Sequence, residues 1–83
     1  MVWIEKAEYA GQYKINVVFN DGTTGTFDME SIIKLDKRLI ISELIDVEKF
    51  KKFKVGMDTI VWENGLDLAP EFIHENCKLL TVA

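Results

Sequence analysis

Tyr13, Ile15, Val17 and Phe19 alternate with Gln12, Lys14, Asn16 and Asn20, and Val18 alone breaks the polar side of the pattern. A period of two predicts a strand with one buried and one largely wet face, the mark of an antiparallel sheet. Asn20-Asp21-Gly22-Thr23 follows at once. Asp-Gly supplies the positive φ of a two-residue hairpin turn, so residues 23–29 are expected to fold back, with Gly25, Phe27 and Met29 on the core face. Residues 2–9 are strand-like but less regular: Trp3, Ala7 and Tyr9 fall on one side with Glu5 among them. Ala10-Gly11-Gln12 then makes a second tight turn plausible, and the first third of the chain reads as a three-stranded meander.

Helical spacing takes over after Met29. Asp28 can accept hydrogen bonds from the backbone of a helix start, and Ile32, Ile33 and Leu35 line a short helix there. Ile40, Ile41, Leu44 and Ile45 recur at helical intervals, and Asp46 caps a further turn through Phe50. From Lys51 alternation returns, with Phe53 and Val55 opposite Lys52 and Lys54. Gly56-Met57-Asp58 turns the chain, and residues 59–62 come back as a partner strand ended by Glu63-Asn64-Gly65. Pro70 suits the first position of a last helix, whose buried stripe is Phe72, Ile73 and Cys77. The expectation is one compact α+β domain over residues 1–83: an N-terminal antiparallel β-meander, short helices, a second β-hairpin and a short C-terminal helix, with about five strands.

Length and charge narrow the picture. With 83 residues and 48% hydrophobic content, the chain makes a thin core that buries about 60% of its unfolded surface. The net charge of -4 speaks against a dedicated nucleic-acid binder, which carries a basic face. The charge is segregated, however. Residues 34–54 hold seven basic and four acidic residues, a net +3, while the remainder holds three basic and ten acidic, a net -7. A lone Cys77 allows no internal disulfide and favours a reducing compartment. No signal pattern opens the chain and no run approaches the ~20 apolar residues of a membrane helix. The cytoplasm is the expected location.

Few residues suggest chemistry. His74 and Cys77 stand i,i+3, with Glu71 and Glu75 nearby, so an imidazole-activated thiolate or a metal site is conceivable on that helix. A stable zinc site wants four ligands, and no second Cys or His exists to complete one. The plainer reading is a packed Cys77 and a surface His74. There is no phosphate loop and no Gly-x-Ser-x-Gly, so neither an enzyme nor a cofactor is expected. Trp62, Asn64 and Asp67 could form a recognition loop, with Trp62 as aromatic anchor, but a structural reading is stronger: Asn-Gly serves a positive-φ turn, Trp62 continues the apolar alternation of its strand, and Asp67 can hydrogen-bond loop amides. Trp3 and Tyr9 are further candidates for a partner contact, wherever one of these aromatics is exposed. Lys49, Lys51, Lys52 and Lys54 could grip phosphates while Phe50 and Phe53 stack on bases. Alternation sends Phe53 away from Lys52 and Lys54, which fits an edge strand guarded by lysines better.

Three stretches together resemble a known family. They are Val18-Phe19-Asn20-Asp21-Gly22-Thr23 with Gly25-Thr26-Phe27-Asp28; Asp46-Val47-Glu48-Lys49-Phe50 with Lys52-Phe53-Lys54-Val55; and Thr59-Ile60-Val61-Trp62-Glu63-Asn64-Gly65-Leu66-Asp67-Leu68-Ala69-Pro70. The family is the small bacterial domain of unknown function (DUF) 2442, and the resemblance spans roughly residues 2–76. It implies a compact α+β domain with an N-terminal meander and brings no catalytic residues. Some members carry a helix-turn-helix segment after the domain; this chain ends at Ala83 and is expected to lack that DNA reader. Many are encoded beside another small uncharacterised protein, which suggests toxin–antitoxin pairs. Ala69 stands where members often have Asp or Ser before the Pro, a lost cap that costs about 1 kcal/mol of local helix stability unless Asp67 compensates.

The resulting expectation is a non-enzymatic interaction domain, antitoxin-like, whose acidic body complements a basic partner and whose strands can pair with a partner's edge. The alternative is a nucleic-acid-associated accessory domain using residues 49–54. A homodimer through exposed strand edges is compatible with either.

Overall fold

The alternation centred on Val17 builds strand β2 (Lys14–Phe19), flanked by β1 (Ile4–Tyr9) and β3 (Thr24–Asp28). Helices α1 (Glu30–Leu35) and α2 (Leu39–Ser42), a 3-10 turn at Glu43–Ile45 and helix α3 (Val47–Phe50) follow. Then come β4 (Lys54–Gly56), β5 (Thr59–Val61), α4 (Pro70–Asn76) and β6 (Lys78–Leu79). This computed structural model describes residues 1–79; residues 80–83, the end of the expected domain, lie outside the described residues. One antiparallel sheet has the order β1-β2-β3-β6, and β4-β5 forms a separate hairpin. No helix among the described residues is long and apolar enough to cross a membrane.

The α+β architecture is as the sequence predicts. Ile15, Val17, Phe19, Phe27 and Met29 are buried on one face of the sheet. The same face receives Ile33, Ile41, Leu44 and Phe50 from the helical segment, Ile60, Trp62 and Leu66 from the hairpin and its closing turn, and Ile73 from α4. These helices have four to seven residues, too few to persist alone in water, so this shared core holds them.

Local geometry corrects several expectations. The β2–β3 connection is a three-residue loop. The Gly22 N–H donates to Phe19 O at 2.9 Å and the Phe19 N–H to Thr23 O at 2.9 Å. Only Gly22, at φ 88°, sits in the left-handed region, which is a type I turn closed by a glycine bulge. The same pattern recurs after β5: the Gly65 N–H donates to Trp62 O at 3.0 Å and the Trp62 N–H to Leu66 O at 2.9 Å. Gly65 has φ 93°. A two-residue turn does occur between β4 and β5, where Met57 and Asp58 take φ 51° and 68°. The Asp58 carbonyl there accepts the Ile4 N–H at 2.9 Å and ties the small hairpin to β1.

In β1 the expected face was wrong by one residue at its start. Ile4 pairs with Phe19 but Lys6 pairs with Val18, so a bulge intervenes. An extra residue reverses the side-chain parity, and Ile4 joins Ala7 and Tyr9 on the core side in place of Trp3. Leu35 and Ile45, expected inside, are 79% and 47% exposed, because each ends an element too short to complete another turn against the sheet. Phe72 is likewise only partly covered and Cys77 half-buried, leaving Ile73 as the anchor of α4. Strand β6, which the sequence reading omitted, adds a fourth strand beside β3. At the helix starts, Asp46 accepts the Glu48 N–H at 3.0 Å and Asp28 accepts the Glu30 N–H at 2.9 Å. Ala69 gives α4 no side-chain cap. Instead the Thr59 hydroxyl donates to the Leu68 carbonyl and holds the approach to that helix.

Trp62 is the key to closure. Its indole Nε1–H donates to the Phe50 carbonyl at 2.8 Å, a buried bond between residues twelve apart. Trp62→Phe keeps a ring but strands that carbonyl, so urea unfolding should show a loss of about 1–3 kcal/mol.

Candidate functional site

Where the 3-10 turn, α3 and the turn after β5 meet, they enclose a cleft of about 320 Å³ lined by Glu43, Leu44, Lys49, Lys52, Trp62, Glu63 and Asn64. The helical segment supplies the first four because Leu44 and Phe50 are drawn into the core, which turns the intervening polar residues outward. The type I turn supplies the rest. With Trp62 fixed inward by its bond to Phe50, Glu63 and Asn64 occupy the exposed corner.

Glu43 is the best-held charge in the cleft. Its Oε2 accepts from Asn64 Nδ2 at 2.6 Å and its Oε1 lies 3.3 Å from Lys49 Nζ. The Asn64 hydrogen bond first, and the Lys49 bond second, hold its carboxyl below the usual range. Asn64 also donates to the Ile40 carbonyl at 2.9 Å and accepts the Leu66 N–H at 3.0 Å. One amide thus ties the closing turn to α2 and stabilises its own loop. Lys52 and Glu63 are exposed and in no ion pair among the described residues. The lining contains no Ser, Thr, Cys or His. The lining offers charged and hydrogen-bonding groups from Glu43, Lys49, Lys52, Glu63 and Asn64 beside the apolar Leu44 and Trp62.

The structure regroups the candidates from the sequence. Trp62 and Asn64 come together with Lys49 and Lys52, although the sequence reading had assigned them to different partners. Trp62, at 4% exposure, is a core residue, as the alternation of its strand predicts, and meets the surface only in the cleft lining. Asp67 stays exposed and bridges Val61 as a strand pair. Trp3 is half-buried, with its N–H donated to Asn20 Oδ1 at 3.0 Å. Tyr9 is 38% exposed, but its hydroxyl donates to the Gln12 carbonyl and its ring meets Phe50 edge-on. Of the other lysines, Lys51 pairs with Glu48 at 3.1 Å and Lys54 lies exposed on β4. Base stacking by the aromatics does not fit, since Phe50 is fully buried and Phe53 packs against Phe50 and Trp62. Glu43, Leu44 and Glu63 are cleft residues that the sequence reading missed. Glu43 meets Asn64 across 21 residues, a contact with no local signature.

The Cys77–His74 pair also dissolves. The imidazole sits edge-on to Phe19, with centroids 4.8 Å apart, and the thiol donates to the His74 backbone carbonyl at 3.6 Å. Burial pushes the Cys77 thiol above its ordinary pKa, the opposite of an activated nucleophile. No group of three or more His, Cys, Asp or Glu residues among the described residues is placed to hold a metal ion.

Two outcomes follow. The rate of iodoacetamide alkylation of Cys77 should rise with pH through a midpoint above that of an ordinary thiol; a midpoint below about 7 would restore the thiolate reading. For Glu43, a lowered folded pKa means stabilisation that is present above the ordinary carboxylate value and lost as pH falls through the folded one. Glu43→Gln should therefore be less stable than wild type at neutral pH in urea titrations, and the gap should close in acid below about pH 4.

No curated protein and no solved structure matches the chain. The family model described as a protein of unknown function (DUF2442) matches residues 4–78, and the chain belongs to that family.

Proposed function

We propose that this chain is a non-enzymatic protein-interaction domain, the cytoplasmic, antitoxin-like member of a bacterial two-protein pair. The observation that carries this reading is the segregation of its ion pairs. Lys34–Glu30, Arg38–Asp36, Lys49–Glu43 and Lys51–Glu48 are the ion pairs among the described residues, and all fall within residues 30–51. The basic segment pairs four of its cations locally, leaving Lys37, Lys52 and Lys54 outside any ion pair among the described residues. The acidic body does not: Glu5, Glu8, Asp58, Glu63, Asp67, Glu71 and Glu75 are exposed and form no ion pair among the described residues.

Uncompensated carboxylates spread over a small surface attract a cationic protein and steer its approach. Glu71 and Glu75 stand one helical turn apart on exposed positions of α4, and Glu63 sits at the rim of the cleft. A basic partner that spans this turn and helix would meet carboxylates that are in no ion pair among the described residues.

Tagging the protein in its own cell and identifying what co-purifies tests the reading. The expected result is one small basic protein in stoichiometric amount, released by salt and weakened by Glu71→Gln combined with Glu75→Gln. Purification of the chain alone would overturn it. Co-purifying nucleic acid, lost steeply with salt, would instead assign the interaction to the lysines of residues 49–54.

A further inference from the structure

We infer that Asn64-Gly65 is a covalent modification site, a deamidation point that the folded domain holds latched and that reacts, once and irreversibly, from the opened cleft. The chemistry needs only water and a base. The Gly65 nitrogen gives up its proton and attacks Asn64 Cγ; the Cγ–Nδ2 bond breaks and Nδ2 leaves as ammonia. Water then opens one of the two imide C–N bonds of the resulting succinimide, which leaves aspartate or isoaspartate at position 64. Nothing is oxidised or reduced.

Position in the chain favours this asparagine over the others. Asn16, Asn20 and Asn76 precede Val17, Asp21 and Cys77, whose side chains crowd the attacking nitrogen, whereas Gly65 has none. Asn64 is also exposed. What restrains it is the latch: Nδ2 donates to Ile40 O at 2.9 Å and Glu43 Oε2 at 2.6 Å, and Oδ1 accepts the Leu66 N–H at 3.0 Å. The Gly65 N–H itself is given to Trp62 O at 3.0 Å. Attack requires the side-chain amide to leave its partners and the Gly65 nitrogen to turn toward Cγ, so the reaction waits on local opening.

The product cannot relatch. A carboxylate at position 64 has no N–H for the Ile40 carbonyl, and it places a second negative charge where the amide met Glu43. Like charges at that range disfavour each other's ionised form and push the groups apart. The turn that carries Glu63 at the cleft rim is thereby released from α2, and the surface gains one negative charge.

The full chain is incubated in mildly alkaline buffer, folded and in urea, and followed by peptide mapping and intact mass. Deamidation at Asn64 should run about tenfold or more faster in urea, because the latch includes a charge-assisted hydrogen bond. Glu43→Ala, shown folded by circular dichroism, should react faster than folded wild type, and Asn64→Asp should unfold at lower urea. Equal rates for folded and unfolded wild type, or earlier reaction at another asparagine, would overturn the inference. So would a folded Glu43→Ala protein that reacts no faster than wild type.

Discussion

The contact on which the rest of this domain depends is that between Phe50 and Trp62. Phe50 is fully buried, and its ring centroid lies 5.6–6.1 Å from those of Tyr9, Tyr13, Phe53 and Trp62. Its carbonyl takes the Trp62 indole N–H. One residue thereby joins the meander, through Tyr9 and Tyr13, to the helical segment and to the turn after β5. Aromatic pairs of this kind add about 0.5–1.5 kcal/mol each beyond the area they bury. That is substantial in a small domain whose α3 has four residues and whose β4–β5 hairpin has three on each strand, since neither is stable alone.

The same contact creates the candidate site. Drawing Trp62 and Leu44 inward leaves Glu43, Asn64, Lys49, Lys52 and Glu63 around a hollow, and Asn64 fixes the corner by bonding to both Ile40 and Glu43. The tethers that give the cleft its shape are therefore few, and one of them is chemically the most fragile amide in the chain. Rigidity and reactivity reside in one side chain.

Two different kinds of order govern the surface. In residues 30–51 cations and carboxylates alternate within a few positions, so short-range pairs such as Arg38–Asp36 at 2.7 Å form on their own. The Arg38 hydrogen bond lowers the Asp36 carboxyl to about 2. These pairs are solvent-exposed and contribute little to stability. Each pair cancels one cation against one carboxylate, while Lys37, Lys52 and Lys54 are in no ion pair among the described residues. The charge segregation is legible from composition, but the pairing is visible only from the geometry.

The sequence by itself determined the meander, the short helices, the second hairpin and the helix begun by Pro70, because period-two and helical spacing, Gly22, Gly65 and the Asp46 cap act locally. It also placed Ile15, Val17 and Phe19 inward without ambiguity. Tertiary structure decided the rest. The bulge in β1 inverted the face of its first residues through pairing with β2. The buried Trp62 indole found its hydrogen-bond partner in the Phe50 carbonyl, twelve residues away. Strand β6 exists because β3 had a free edge beside it. The cleft joins residues up to 21 apart in the chain, and no local pattern specifies where such distant side chains meet: that is fixed only when the shared core closes.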